Sequence, residues 1–392
     1  MPRPPELSAR AVGLKPSLTL AIGAQAKALQ QAGRDICSLS AGEPDFDTPD
    51  FIVEATRKAL RDGITRYGPA AGDPELRAAV AEKLSSGNGI ATTPEQVLIT
   101  NGGKQAIYNL FQVLLNPGDE VLLPAPYWLS YPEMAALAGA KVKLIPTHAE
   151  EGFRLDLTDV EAAISPRSRL LVLNSPGNPT GRVMKRQELE DVAELVRRHP
   201  QLLVMSDEIY EFLLAEGEQH HSFAAIAPDL ADRCFTVNGF AKGWAMTGWR
   251  LGYLAGHQDV IKAAAALQSQ STSNVCSFAQ RGALAAIQGP RDCVSAMAES
   301  YNRRRQLLTE GLQAIEGITL VEPRGAFYAF PQLPESAGGS MDFCRRALEQ
   351  AGLAVVPGLA FGNSRCIRLS CAVSRETIRD GLSRLTQLLD ET

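Results

Sequence analysis

From about residue 95 to residue 255 the chain alternates short β-rich runs with amphipathic stretches of helical period, and few folds accommodate that rhythm. Strands separated by a helix's worth of residues are the units of a parallel sheet, because a crossover must carry the chain back before the next strand can run the same way. A mostly parallel sheet with helices on both faces is therefore predicted. The candidate strands are VLLP (121–124), KVKLIP (141–146), RLLVLNS (169–175), QLLVMSD (201–207), RCFTVN (233–238) and RLGYLAG (250–256), alternating with helices such as 104–115 and 186–198. In LTDVEAAI, Thr158 stands three residues before Glu161, the spacing of a capping box that opens a short helix.

After about residue 295 the texture changes to a long charged helix (295–315), then ITLVEP, GAFYAF, a helix at 341–352 and the strand-like CIRLSC, which together suggest a smaller α+β lobe. The expected division is an amino-terminal arm over 1–20, a small α+β domain from 21–50 and 295–392, and a large α/β domain over 51–294. With 392 residues, 45% hydrophobic and 21% charged, the chain can bury a large core. A net charge of -5 gives no broad basic field for nucleic acid. MPRPPELSAR lacks an apolar stretch of signal-peptide length, and nowhere do about 18 apolar residues run together. No membrane association and a cytoplasmic location are expected. The seven cysteines show no CxxC pair and read as reduced, mostly buried thiols, and the five histidines give no metal array. His220-His221, in EGEQHHS, reads as solvated loop, and Arg303-Arg304-Arg305 as a solvated helix face.

Several polar signatures fall just after expected strands, where open α/β sheets bind ligands. In TNGGKQAIYNL, Gly102-Gly103 opens a helix whose bare amides suit a phosphate, although glycine also begins helices for conformational reasons alone. NSPGNPTG (174–181) crowds two prolines and two glycines onto one strand end. SDEIY follows an apolar strand, so Asp207 and Tyr210 emerge at the sheet's edge, where a carboxylate is costly unless paired with a cation. NGFAKGWAMTGWR supplies Lys242 among small and apolar neighbours, with Arg250 eight residues later. Such surroundings lower a lysine's pKa and make its amine a nucleophile toward an aldehyde. A lysine for an imine, a carboxylate for a pyridine nitrogen, donors for a phenolic oxygen and cations with amides for a phosphate are what pyridoxal 5′-phosphate requires.

With AGEPDFDTP, YGPAAGDPELR, GGKQAIYN, PAPYWLSYPEM, NSPGNPTG, SDEIY, NGFAKGWAMTGWRLGY and CIRLS in place, the chain from about residue 8 to 390 resembles the fold-type-I, class I aminotransferases, and is most similar to their bacterial aspartate branch, some members of which also accept prephenate or arogenate. The resemblance implies the PLP-dependent transferase fold and a ping-pong exchange between L-aspartate and 2-oxoglutarate. It implies that Lys242 holds the cofactor and moves the proton at the substrate's Cα, and that Asp207 pairs with the ring nitrogen. Asn178 and Tyr210 would bond the phenolic oxygen, and Trp128 would stack on the ring. Arg250 and the amides of Gly103 and Lys104 would hold the phosphate, joined by Tyr67 of a neighbouring subunit in a homodimer. Arg368 would grip the substrate α-carboxylate with Gly42 beside it, while Lys104, assisted by Lys15, would bind a distal carboxylate. Ala125-Pro126 and Asn178-Pro179 would be cis. The chain departs from the best-known branch at Gly239, where a serine often serves the phosphate, and at Ala241.

Two other readings carry distinct expectations. A pyridoxal-phosphate β-lyase would use the same lysine, aspartate and arginine but release ammonia without an amino acceptor. A ligand-binding regulator on an aminotransferase-like scaffold would bind DNA, against which stand the acidic balance and the absence of a helix-turn-helix module before residue 20.

Overall fold

The computed structural model describes residues 6–14 and 18–391. The expected sheet has seven strands: β1 (Val97–Thr100), β2 (Glu120–Ala125), β3 (Lys141–Pro146), β4 (Ser168–Asn174), β5 (Leu203–Asp207), β6 (Cys234–Gly239) and β7 (Gly252–Ala255), in the order β1-β7-β6-β5-β4-β2-β3. β7 is antiparallel to both neighbours, and the other pairs are parallel. β1, VLIT, is absent from the expected strands. It is a fully buried run of four residues, too short for any period to declare itself.

The central strands are apolar on both faces because both are covered. Leu171, Leu173 and Val204 pack with Leu189, Val192 and Val196 of the helix Arg186–Arg198. Leu170, Val172 and Met205 face the other way, against Ile107, Leu110 and Phe111 of the helix Gly103–Leu114. Each such side chain withdrawn from water contributes about 1.5–3 kcal/mol. After edge strand β3 the chain crosses β2 to enter β4, so strand order reverses between β2 and β4, and a crevice is expected beyond their carboxyl ends.

A second core gathers Leu39, Tyr301, Phe327, Phe343, Ile367 and Leu385. The helix Asp292–Gln313 joins the two, with Val294 in the sheet's core and Leu312 in the second. Tyr328–Ala329, Val356–Pro357 and Ile367–Ser370 form a small antiparallel sheet, and Cys37–Ser38 pairs in parallel with Leu353–Ala354. ITLVEP contributes an isolated bridge from Thr319 to Gln332 instead of a strand.

Three local expectations are corrected. The helix Leu157–Ala163 is capped by Asp156, which accepts from the Thr158 amide at 2.7 Å, so Thr158 lies inside the helix. Aspartate is the stronger cap, and it starts the helix earlier. Of the arginine triplet Arg303 is exposed, whereas Arg304 pairs with Asp45 at 2.6 Å and buried Arg305 donates to the Ala326 carbonyl at 2.7 Å, because the helix is covered on more than one side. His220 is not solvated: its side chain is 9% exposed and meets Glu208 Oε2 at 3.0 Å. All seven cysteines are free, five of them buried. Among the described residues no helix is long and apolar enough to cross a membrane.

Candidate active site

The carboxyl ends of β2, β4, β5 and β6 and the rim of the second core enclose a cleft of about 490 Å³, within the range of small-molecule sites. Gly42, Gly103, Lys104, Trp128, Asn178, Asp207, Tyr210, Lys242, Arg250 and Arg368, all singled out in the sequence, line it. Two residues of the expected set are not brought there: Tyr67 is 93% exposed and does not line the cleft, and Lys15 lies outside the described residues.

Asp207 ends the central strand β5, so strand geometry delivers its carboxylate to the middle of the cleft floor. Among the described residues no cation bonds it directly. Instead Oδ2 accepts from the Tyr131 hydroxyl at 2.6 Å and Oδ1 from the Ile209 amide at 3.3 Å. Burial raises Asp207 to about 6, with those two hydrogen bonds and Lys242 opposing the rise. Tyr131 itself is pushed well above the tyrosine range, first by burial and then by Asp207, so it stays a neutral donor. Tyr131 was missed in the sequence. It lies three residues after Trp128, in the same PAPYWLSYPEM stretch, but nothing local pairs it with an aspartate 76 residues away.

Lys242 donates to the Gly42 carbonyl at 2.6 Å, with its ammonium 5.6 Å from the Tyr210 ring centre and 5.4 Å from that of Phe327. Loss of solvation lowers it to about 8, assisted by Arg368 and Arg250 and opposed by Glu43 and Asp207. An amine so placed is neutral in an appreciable fraction near neutral pH and can act as nucleophile or base.

Arg368 is 3% exposed. One terminal nitrogen donates to Asn178 Oδ1 at 3.0 Å and the other to the Ser40 carbonyl at 3.1 Å, while its Cζ lies 4.3 Å from the Tyr328 ring centre. Nε is buried without a hydrogen-bond partner. No carboxylate among the described residues neutralises this cation, so the cleft presents a buried positive fork suited to one from outside. Asn178 is held from both ends, since its amide donates to Asn174 Oδ1 at 2.9 Å and its side-chain oxygen serves Arg368. Its Nδ2 is thereby left as a donor. Ala125-Pro126 and Asn178-Pro179 are both cis, as is Ser175-Pro176.

At the other end of the cleft the helix Gly103–Leu114 begins after Gly102, whose φ of 80° only glycine adopts easily. A Cβ there would also lie 2.7 Å from Arg250 Nη2. Arg250 is steadied by the carbonyls of Thr247 (2.9 Å) and Asn101 (3.3 Å), which leaves its charge beside the free first-turn amides, a cradle for a dianion. Gly239 has no room for a side chain: a Cβ would sit 2.8 Å from Gly252 Cα and 2.9 Å from the Leu251 carbonyl. A serine hydroxyl is thus replaced here by close backbone packing. Lys104 Nζ lies 5.1 Å from the Trp128 ring centre, and Trp128 meets Tyr131 edge to face.

The donor set fits pyridoxal phosphate at each point: an anion cradle, an amide donor, a carboxylate and a lysine, with an unneutralised arginine left for the reaction's second component. The family model of aminotransferase class I and II matches residues 34–385. The chain is 48% identical over 386 residues to the aspartate/prephenate aminotransferase of Thermus thermophilus, covering 98% of each. It is 48% identical over 396 residues to a bifunctional aspartate aminotransferase and glutamate/aspartate-prephenate aminotransferase of Petunia hybrida, covering 98% of this chain and 82% of that one. Among solved structures, the aspartate aminotransferase from Thermus thermophilus with maleate superposes with a TM-score of 0.94 at 47% identity, over 98% of this chain and 100% of that one.

Proposed function

The chain belongs to the class I and II aminotransferases, with their fold type I architecture and pyridoxal phosphate as cofactor, and from that premise we propose that it exchanges the amino group between L-aspartate and 2-oxoglutarate. The observation that carries the dicarboxylate reading is the pairing of two cations across the cleft, Arg368 in the second core's rim and Lys104 at the helix start. Arg368 takes the substrate's α-carboxylate with Gly42 beside it, and Lys104, joined by Lys15, takes the distal one. The relative solved with maleate, itself a dicarboxylate, supports this assignment.

When bound, pyridoxal phosphate draws electron density from the substrate's Cα. Lys242, with its amine near 8, holds the cofactor and then moves the proton at Cα. Asp207, ionised above about 6, would keep a positive charge on the ring nitrogen, and Asn178 and Tyr210 would donate to the phenolic oxygen. Trp128 would lie over the ring and exclude water from that face. Arg250 and the amides of Gly103 and Lys104 hold the phosphate. Tyr67, so exposed within one chain, completes this cradle from a second copy. The exposed side chains of Leu7, Val12, Leu14 and Leu18 favour the same homodimer. This reading also groups 21–50 with 295–392 as a small domain and 51–294 as the large one, supported by the core that Leu39 shares with Leu385.

The test is a half-reaction. Holoprotein mixed with L-aspartate and no oxo acid should lose its visible cofactor band in step with oxaloacetate formed, and 2-oxoglutarate should restore it. Catalytic release of ammonia would instead establish a lyase. Because several relatives carry prephenate in their names, prephenate is the second acceptor to assay, and restoration of the band by it would extend the substrate range.

A further inference from the structure

The turn after β5 sends its side chains in two directions. Asp207 and Tyr210 line the cleft, while Glu208 and Glu211, each one residue further on, are buried outside it. Glu211 is satisfied by Lys83, Asn238 and Asn88. Glu208 has no exposed surface and, among the described residues, no lysine or arginine partner. Its Oε1 accepts from Ser206 at 2.9 Å, and its Oε2 accepts from Ser222 at 2.6 Å and meets His220 Nε2 at 3.0 Å.

Stability alone does not account for this carboxylate. Burying an ionisable group costs several kcal/mol before its partners repay it, and apolar residues of similar volume would commonly do as well. Its placement has another consequence. Ser206 and Glu208 flank Asp207 in the chain and are bonded to each other, which closes a loop of side chains around the aspartate's backbone. The Asp207 carbonyl is fixed on the neighbouring strand by the Asn174 side chain (3.0 Å) and the Ser175 amide (3.2 Å). Glu208 is felt at Asp207 as well, adding to the upward shift that burial imposes on that carboxyl.

We propose that Glu208, anchored by His220 and Ser222, is a positioning residue that acts through Asp207: bonded to Ser206 on the far side of the aspartate's backbone, it fixes the direction of that carboxylate against the cofactor's ring nitrogen. This rests on the role given to Asp207 above. The experiment is a double-mutant cycle on the full chain, with wild type, Glu208→Gln, Asp207→Asn and the double variant. Affinity for pyridoxal phosphate is read by absorbance titration of apoprotein, alongside the aspartate half-reaction of fully loaded protein.

Glu208→Gln should weaken the cofactor about 10-fold and slow the half-reaction by a similar factor. The KM for aspartate should stay within about 2-fold, because Arg368 and Gly42 are untouched. In the Asp207→Asn background the same change should weaken the cofactor by less than about 2-fold. A loss of equal size in both backgrounds, or unchanged affinity and rate in Glu208→Gln, overturns the proposal. Should Glu208→Gln fail to fold, Ser222→Ala enters the same cycle with about 3-fold effects and the same two overturning results. If Asp207→Asn is harmless, the reading of Asp207 falls. If it is damaging and Glu208→Gln is not, only the present inference falls.

Discussion

On the sheet's side of the cleft, Asp207 and Lys242 sit in surroundings that oppose their charge, and burial moves the two toward each other, to about 6 and about 8. On the second core's side, Arg368 is buried as deeply as Asp207, and its partners are neutral oxygens and an aromatic face. The same desolvation has different outcomes because a lysine or carboxyl can shed its charge and an arginine cannot. The sheet therefore supplies groups that exchange protons, and the second core supplies a permanent grip.

Lys242→Ala should break this division most severely. Turnover is expected to fall by at least about 10³-fold while cofactor remains bound, checked by multiple-turnover assay of loaded protein. Arg368→Lys keeps the charge and removes the fork, so kcat/KM for aspartate should drop about 10²-fold, mostly through KM. A loss confined to kcat would mean that Arg368 serves the chemistry and not the grip.

Tyr131→Phe tests the proton-exchanging side. Asp207 is already raised by burial, and the Tyr131 hydrogen bond holds it down, so removing that bond raises it further. Wild-type cofactor affinity should fall as pH drops through about 6, when the carboxylate gains a proton. In the variant the fall should begin at higher pH, with affinity about 10-fold weaker near pH 6.5. Lys104→Ala should spare the chemistry, raising KM for aspartate about 10-fold and for alanine less than 2-fold. Equal effects on the two amino acids would remove Lys104 from specificity.

What could be read without coordinates was whatever depends on short spans of chain. KVKLIP and the helix 186–198 have their expected ends, because β-rich runs and apolar periodicity are local properties. Lys242, Asp207, Asn178 and Arg250 stand at strand ends and turns for the same reason, and the resemblance supplied their roles. Residues whose meaning depends on distant partners were misread or missed. His220 looked like solvated loop until Glu208 enclosed it and Arg304 like a free surface charge until Asp45 met it, while Tyr131 went unremarked until its hydroxyl found Asp207.

The sequence by itself determined the βα rhythm, the turn chemistry at the strand ends and the identity of the groups that handle protons and phosphate. Only the tertiary structure decided how far burial displaces Asp207 and Lys242, that Tyr131 bonds Asp207, and that Glu208 is buried beside the aspartate. Those quantities depend on solvent exclusion and on contacts between residues far apart in the chain, which no local pattern encodes.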